Sequence, residues 1–300
     1  MDTLNHPAFF ISPDVLAARR GHADAPLLLD VRREAKFFQS PRMLTGALRC
    51  KPEDVAAFAA SQPPCEVLVY CVYGHKVSEE AVAVLRAAGW KASALAGGFE
   101  RGEDGVDSAS NIKNWRLTPL VTMRKRPDWG VTGEQPSRWI TRSRPKIDRI
   151  ACPWLIRRFI DPRAEFFYVP TTQVFSEAAR LNAVAYDIPG APVSHEGEWC
   201  SFDVLLRAFE IEDAAVDRLA RIVQGADTDH LALEPQCAGL LAMSLGLSRL
   251  HTDDHAMLEA AMPLYDALYA WCASEARAVC QGTKPETHNW KPETMPGATA

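Results

Sequence analysis

Three hundred residues suffice for two ordinary domains, and a hydrophobic content of 47% is enough to give each a core. No stretch of about 18 apolar residues occurs, which argues against a membrane-spanning helix, and the start MDTLNHPAFFIS lacks the basic end and apolar centre of a secretory signal, so a cytoplasmic protein with no membrane partner is expected. The net charge of −5 is uneven: residues 101–150 carry 11 basic against 6 acidic side chains and residues 151–300 carry 11 against 21, so the second half is a poor surface for nucleic acid, which is not an expected partner.

Ser12-Pro13 before DVLAARR is an N-cap with proline at the first helical position. PLLLDVR (26–32) reads as a buried strand, PEDVAAFAAS (52–61) as a helix and EVLVYC (66–71) as a second buried strand. VSEEAVAVLRAAG (77–89) is a helix stopped by Gly89, and KASALAGG (91–98) a short strand closed by a glycine pair. Strands alternating with helices at this spacing predict an α/β parallel sheet with flanking helices. Residues 103–137 lose periodicity around Pro119, Pro127, Gly130, Gly133 and Pro136, and are expected to form a partly ordered linker with Trp115 and Trp129 packed against a domain. WIT (139–141) is a strand candidate, and CPWLIRRFI a helix with Pro153 at its first position. EFFYVP (165–170) and AVAYDIP (183–189) read as strands, and SFDVLLRAFE, DAAVDRLARIVQG, PQCAGLLAMSLGLSRL and DDHAMLEAAMPLYDALYAWCASEARAVC as helices. The second half is therefore a helix-rich α+β domain, with a loose proline-bearing tail over 282–300.

The eight cysteines (50, 65, 71, 152, 200, 237, 272, 280) form no CxxC pair, which argues against a disulfide framework, so each thiol is judged by its surroundings. Cys71 stands at a strand-to-helix junction, where parallel sheets bind ligands. The amides of Val72, Tyr73, Gly74, His75, Lys76 and Val77 can turn toward one point. Gly74 relieves the turn, and the helix after it directs its positive end there. Such a cradle favours a thiolate, with His75 and Lys76 adding cationic potential, and a thiolate is the nucleophile at neutral pH. The alternative is a plain buried cysteine at the end of a core strand.

DVRREAKFF after residue 29, the loop C-x-x-G-x-K, the amphipathic helix after it and LAGGFERG together resemble the rhodanese family of sulfurtransferases over residues 8–102. That resemblance implies a sulfur carrier in which Cys71 holds a persulfide, residues 72–77 cradle it, and Asp30 and Arg32 match the family's DxR element. Lys76-Val77 stands where the family often has arginine followed by serine or threonine, and SPRMLTGA (40–47) replaces its glycine-histidine element. A lysine lacks the forked donors that grip an oxyanion, so a persulfide on a small thiol or protein is the expected donor in preference to thiosulfate.

Residues 138–163 hold eight basic side chains against Asp148 and Asp161. Cys152, placed by Pro153 near a helix start, is a second candidate thiolate or small-oxyanion site with Arg142 and Arg149; the bland reading is a solvated basic face over a buried cysteine. PKIDRIACPWLIRRFIDP, HEGEWCSFD, GADTD, GLLAMSLGLS and YDALYAWC resemble the C-terminal domain of the chromate-resistance protein ChrB over about 138–280, with the domain boundary set at 138–281. This resemblance implies a part in resistance to chromate or a related oxidative stress, with a chromate- or sulfate-like oxyanion as a candidate ligand. His195, Cys200, Asp227 and Asp229 form a candidate ligand set for a divalent metal, zinc or iron; helix capping and core packing are the alternatives. Three functional readings follow: a sulfur carrier joined to a chromate-resistance domain, a chromate-responsive transcriptional regulator on a non-catalytic rhodanese scaffold, and a metal- or thiol-dependent chromate reductase.

Overall fold

The structure, a computed structural model, describes residues 8–280, with side chains to residue 276; the tail expected over 282–300 lies outside the described residues. In chain order the first part contains β1 (Phe10–Ile11), α1 (Pro13–Arg19), β2 (Leu27–Asp30), α2 (Glu34–Gln39), β3 (Arg42–Leu44), β4 (Ala47–Arg49), α3 (Val55–Ser61), β5 (Glu66–Tyr70), α4 (Lys76–Ala87), β6 (Lys91–Leu95) and α5 (Ala109–Leu117). β7 (Thr122–Arg124), β8 (Arg138–Arg142), α6 (Asp148–Leu155), β9 (Glu165–Val169), α7 (Val174–Leu181) and β10 (Val184–Ala185) follow, then α8 (Ser201–Phe209), α9 (Ala214–Asp227), α10 (Cys237–Leu250) and α11 (Asp254–Cys280).

Five strands form a wholly parallel sheet in the order β1-β6-β5-β2-β4, the expected α/β sheet with flanking helices. Alternation along each strand divides the side chains between two cores. Leu29, Val31, Val67, Val69, Cys71, Ala92 and Ala94 meet Val55, Ala59, Ala81, Val82 and Leu85 of α3 and α4 on one face. Leu68, Tyr70 and Leu95 point to the other, where they join Leu16, Met43 and Leu44 in a cluster that continues into the second half.

The second half is helix-rich around a small parallel sheet, β10-β8-β9. Met257, Leu258, Ala261, Met262, Tyr265, Tyr269 and Cys272 of α11 recur at helical spacing and bury one stripe against α9 and α6. Trp154, tilted, and Phe159, edge-on, meet Tyr269 at 5.6 and 5.4 Å between ring centroids, so this aromatic stripe is packing. Between the two halves, β7 pairs antiparallel with β3, Trp115 lies against Gly97 and Gly102, and Trp129 meets Trp139 and Phe209 edge-on. Among the described residues no helix is long and apolar enough to cross a membrane.

One expected boundary moves. The helix expected to start at Pro153 starts five residues earlier, at Asp148, and continues as a π-helical turn over Ile156–Ile160. Cys152 therefore lies in its second turn and not at a helix N-terminus. Proline at the first helical position is a preference; here Ile147, in a left-handed conformation (φ 35°), turns the chain into the helix before the proline is reached.

Candidate functional site

Cys71 follows β5 and its side chain packs with the α3/α4 face of the sheet, 6% exposed. Gly74 takes φ +78°, where a Cβ would sit 2.6 Å from the Leu95 carbonyl oxygen, so only glycine fits that approach. The Phe99 and Glu100 amides donate to the carbonyls of Cys71 and Val72 at 3.0 and 2.8 Å, tying the loop to the segment after β6. Among the described residues the N–H groups of Val72, Tyr73, Gly74 and His75 have no acceptor. They precede α4, whose N-cap carries no side-chain hydrogen bond. Free amides at a helix N-terminus are a ready receptor for negative charge.

The cations expected beside this loop are otherwise engaged. The Nδ1 and Nε2 atoms of His75 lie 3.3 and 3.1 Å from Glu103 and Asp107, and Lys76 is 80% exposed, 3.7 Å from Glu80. Val77 is the second residue of α4. Asp30 and Arg32 form a buried pair, Nη2 to Oδ2 2.6 Å, which also takes the Tyr70 hydroxyl on Asp30 at 2.9 Å and stacks Arg32 4.3 Å from the Phe99 ring centroid. This pair fixes the end of β2 beside the loop. An open cleft of about 670 Å³ is lined by Arg32, Val72, Tyr73, Glu100, Glu103 and Arg116 among others.

In the second half the candidate residues regroup. Arg142 and Arg149 both approach Asp187, at 3.5 and 3.1 Å. Cys152 is fully buried; burial, then the charges of Asp148, Asp187 and Asp227, push its thiol well above the ordinary value. This corrects the expectation of a stabilised thiolate at Cys152: the helix N-terminus is too far back, and the nearby charges are negative. Cys200, at the N-cap of α8, is likewise buried and its thiol raised by burial and by Asp148.

Of the expected metal set, the structure joins His195 and Asp227 and leaves out Cys200 and Asp229. The latter is exposed in the turn after α9, with φ 60°. Two acids that sequence reasoning missed complete the group. His195 Nε2 stands 3.1 Å from Asp227, 3.5 Å from Asp187 and 3.6 Å from Asp148. Ligand atoms of Asp148, His195 and Asp227 all lie within 4.8 Å of one another, so one ion could be held among them. Burial first, then Asp227 and Asp187, raises the Asp148 carboxyl well above the carboxylate range; burial first, then Asp187, raises Asp227. The signal was available in outline. PKIDRIACPW, HEGEWC and GADTD, three of the motifs singled out above, supply Asp148, His195 and Asp227 to this one point.

Most of the basic run of 138–163 is engaged within the chain, Lys146 being exposed. Arg138 pairs with Glu165, Arg157 with Glu259, Arg158 with Asp266 and Arg163 with Asp161, while Arg144 donates to the carbonyls of Ser248, His251 and Thr252.

Comparison with known proteins agrees with this division. Residues 12–104 match the family model described as rhodanese-like domain, and residues 139–272 the model described as ChrB, C-terminal domain. A curated relative, Protein ChrB of Cupriavidus metallidurans, is 32% identical over 155 residues, 48% of this chain; the chain spans about half, 46%, of that protein's length. Similar solved structures include a full-length protein from Lactobacillus plantarum (23% identity, TM-score 0.30, covering 39% of this chain and 88% of that one). A Rhodanese_3-like domain from Anabaena is 26% identical with TM-score 0.25, covering 33% of this chain and 98% of that one. A rhodanese homolog from Thermus thermophilus is 25% identical with TM-score 0.22, covering 29% and 88%. The chain thus carries a rhodanese-like domain at residues 12–104 followed by a ChrB C-terminal domain at residues 139–272.

Proposed function

We propose that the chain is a sulfur carrier in which Cys71 holds a persulfide, coupled to a ChrB-type domain that serves resistance to chromate or a related oxidative stress. The observation that supports it best is the set of unpaired amides at Val72, Tyr73, Gly74 and His75 around the end of β5. The Cys71 thiolate attacks the outer sulfur of a donor persulfide. A Cys71–sulfur bond forms, the donor's S–S bond breaks, and the donor leaves as a thiolate. The terminal sulfur left on Cys71 carries the negative charge, which the free amides receive. Handing that sulfur to an acceptor thiol or to cyanide reverses these steps, with no net oxidation. Lys76 points toward Glu80 and solvent, so a small-thiol or protein persulfide suits the loop better than thiosulfate.

Two observations weigh against the rival readings. A regulator needs a nucleic-acid surface, for which the basic run at 138–149 is the candidate, and there Arg138 pairs with Glu165, Arg142 and Arg149 with Asp187, and Arg144 donates to the carbonyls of His251 and Thr252. A reductase using the thiols of the second half would need thiolates there, and burial pushes the Cys152 and Cys200 thiols up. Incubation with a small-molecule persulfide followed by mass spectrometry of the intact protein is expected to show one added sulfur on wild type and none on Cys71→Ser, with thiocyanate released on adding cyanide. Wild-type protein that never gains sulfur at residue 71 would refute the reading.

A further inference from the structure

Asp148 is the least ordinary charged residue in the molecule. It is wholly buried at the start of α6; its Oδ2 accepts the Ser201 amide at 2.5 Å, and its Oδ1 has no hydrogen-bond partner. A buried carboxylate oxygen without a donor is costly, because it has given up water and received nothing in return. Asp227, at the end of α9, and Asp187, in a left-handed turn after β10, bring two further carboxylates to the same place. Carboxyl groups gathered out of water repel one another unless a positive charge lies among them. Asp187 already has its counter-charges in Arg149 and Arg142, and its Oδ1 accepts the Ser201 hydroxyl at 3.1 Å. Asp148 has no cation of its own among the described residues except the distant edge of His195, at 3.6 Å.

We propose that Asp148, Asp227 and His195 bind one divalent first-row transition metal ion, with Asp187 as the neighbouring carboxylate that ties the site to Ser201 and Arg149. Two carboxylates and an imidazole are a donor set for manganese(II), iron(II) or zinc. The separations among their ligand atoms, all within 4.8 Å, fit ions bound at about 2.0–2.2 Å after small side-chain movements. The site is reachable: the His195 side chain is 40% exposed, and that of Asp227 is 18% exposed. Cys152 and Cys200 are not part of the set, so the centre is one of oxygen and nitrogen donors and does not compete for the soft ions that thiolates prefer. The site does not depend on Cys71 carrying sulfur.

The test uses the full chain, stripped with a chelator and titrated with Mn²⁺, which thiols bind poorly; loss of the free-ion paramagnetic resonance signal counts bound metal. Wild type is expected to bind one equivalent. His195→Ala and Asp227→Asn alter partly exposed side chains and should fold normally. They are expected to weaken binding by more than the roughly 10–100-fold that loss of an outer-sphere partner costs. Metal is expected to raise the melting temperature of wild type but not of the variants. Metal-free Asp148→Asn is expected to be at least as stable as metal-free wild type, because it takes one acid out of a buried cluster of three. Wild type that takes up none of Mn²⁺, Fe²⁺ or Zn²⁺, or variants that bind with undiminished affinity, would overturn the proposal. Undiminished affinity together with a destabilised metal-free Asp148→Asn would make the cluster an ion pair around His195 instead.

Discussion

At the scale of single residues, charge placement decides more than charge count. Lys125 is half-buried over the Phe37 ring, 3.8 Å from its centroid, and donates to the Phe37 carbonyl at 2.5 Å. Burial first, then Arg32, lowers its amine to about 8, against the opposing pull of Asp30. Below about pH 8 the amine is charged in folded and unfolded chains alike, and the folded state bears the whole cost of burying it. Between about 8 and the ordinary lysine value of about 10.4 the unfolded chain binds the extra proton, so stability rises with pH across that window. Lys125→Met removes the effect, and its stability advantage over wild type is expected to shrink by on the order of 1 kcal/mol from pH 8 to pH 10 after allowance for solvent screening. Urea midpoints at the two pH values measure this; a gap that does not narrow would count against it. Residues of this kind differ in how far the sequence reveals them. Cys71 is legible because strand, loop, glycine and helix are contiguous. Asp148 and Asp187 are not, because the neighbours that make them unusual come from four separate segments.

At the scale of elements, helix ends carry the joins. Asp213 caps α9, accepting from the amides of Ala215 and Val216 at 2.9 and 3.1 Å, and the same side chain takes Arg20 from beyond the end of α1. Asp213→Ala is expected to cost about 1–2 kcal/mol for the cap, and more for the lost tie to Arg20. Asp213→Asn keeps a capping oxygen and loses only the ion pair, so its melting temperature is expected to fall between wild type and the alanine variant. Equal losses in both variants would remove the cap from this account. Most long elements were readable from periodicity, β5, α4, α9 and α11 among them, because each buries a continuous stripe. β3 and β7 were not, since short strands take their identity from a partner distant in sequence. The start of α6 was misplaced because Pro153 looks like a first-turn proline and lies inside the helix.

At the scale of the whole molecule, the first and second halves share one interior besides the smaller cores each has to itself. One buried cluster runs from Leu16, Met43, Leu44, Tyr70 and Leu95 through Met123 and Val131 to Trp139, Phe159 and Phe209. Gly46 donates its amide to the Phe159 carbonyl at 2.8 Å, a backbone bond between the halves. Calorimetry of the full chain is expected to show a single cooperative transition, and a fragment ending at residue 104 to lack one, because it exposes Met43, Leu44 and Leu95. A fragment that melts cooperatively near the full-length temperature would show that the shared core is dispensable.

The ladder between β3 and β7 makes the connecting stretch a strut. Cys71 packs wholly among residues of the first part, on the sheet face turned away from the shared core. With that ladder in place, sulfur carried on Cys71 as proposed would sit in a different core from the one that Ile147 and Ile150, beside Asp148, join. Its delivery would be an encounter through solvent, first order in whichever small thiol or partner protein comes to collect it, and dilution of the cell's thiol pool would slow it where a lever would not notice.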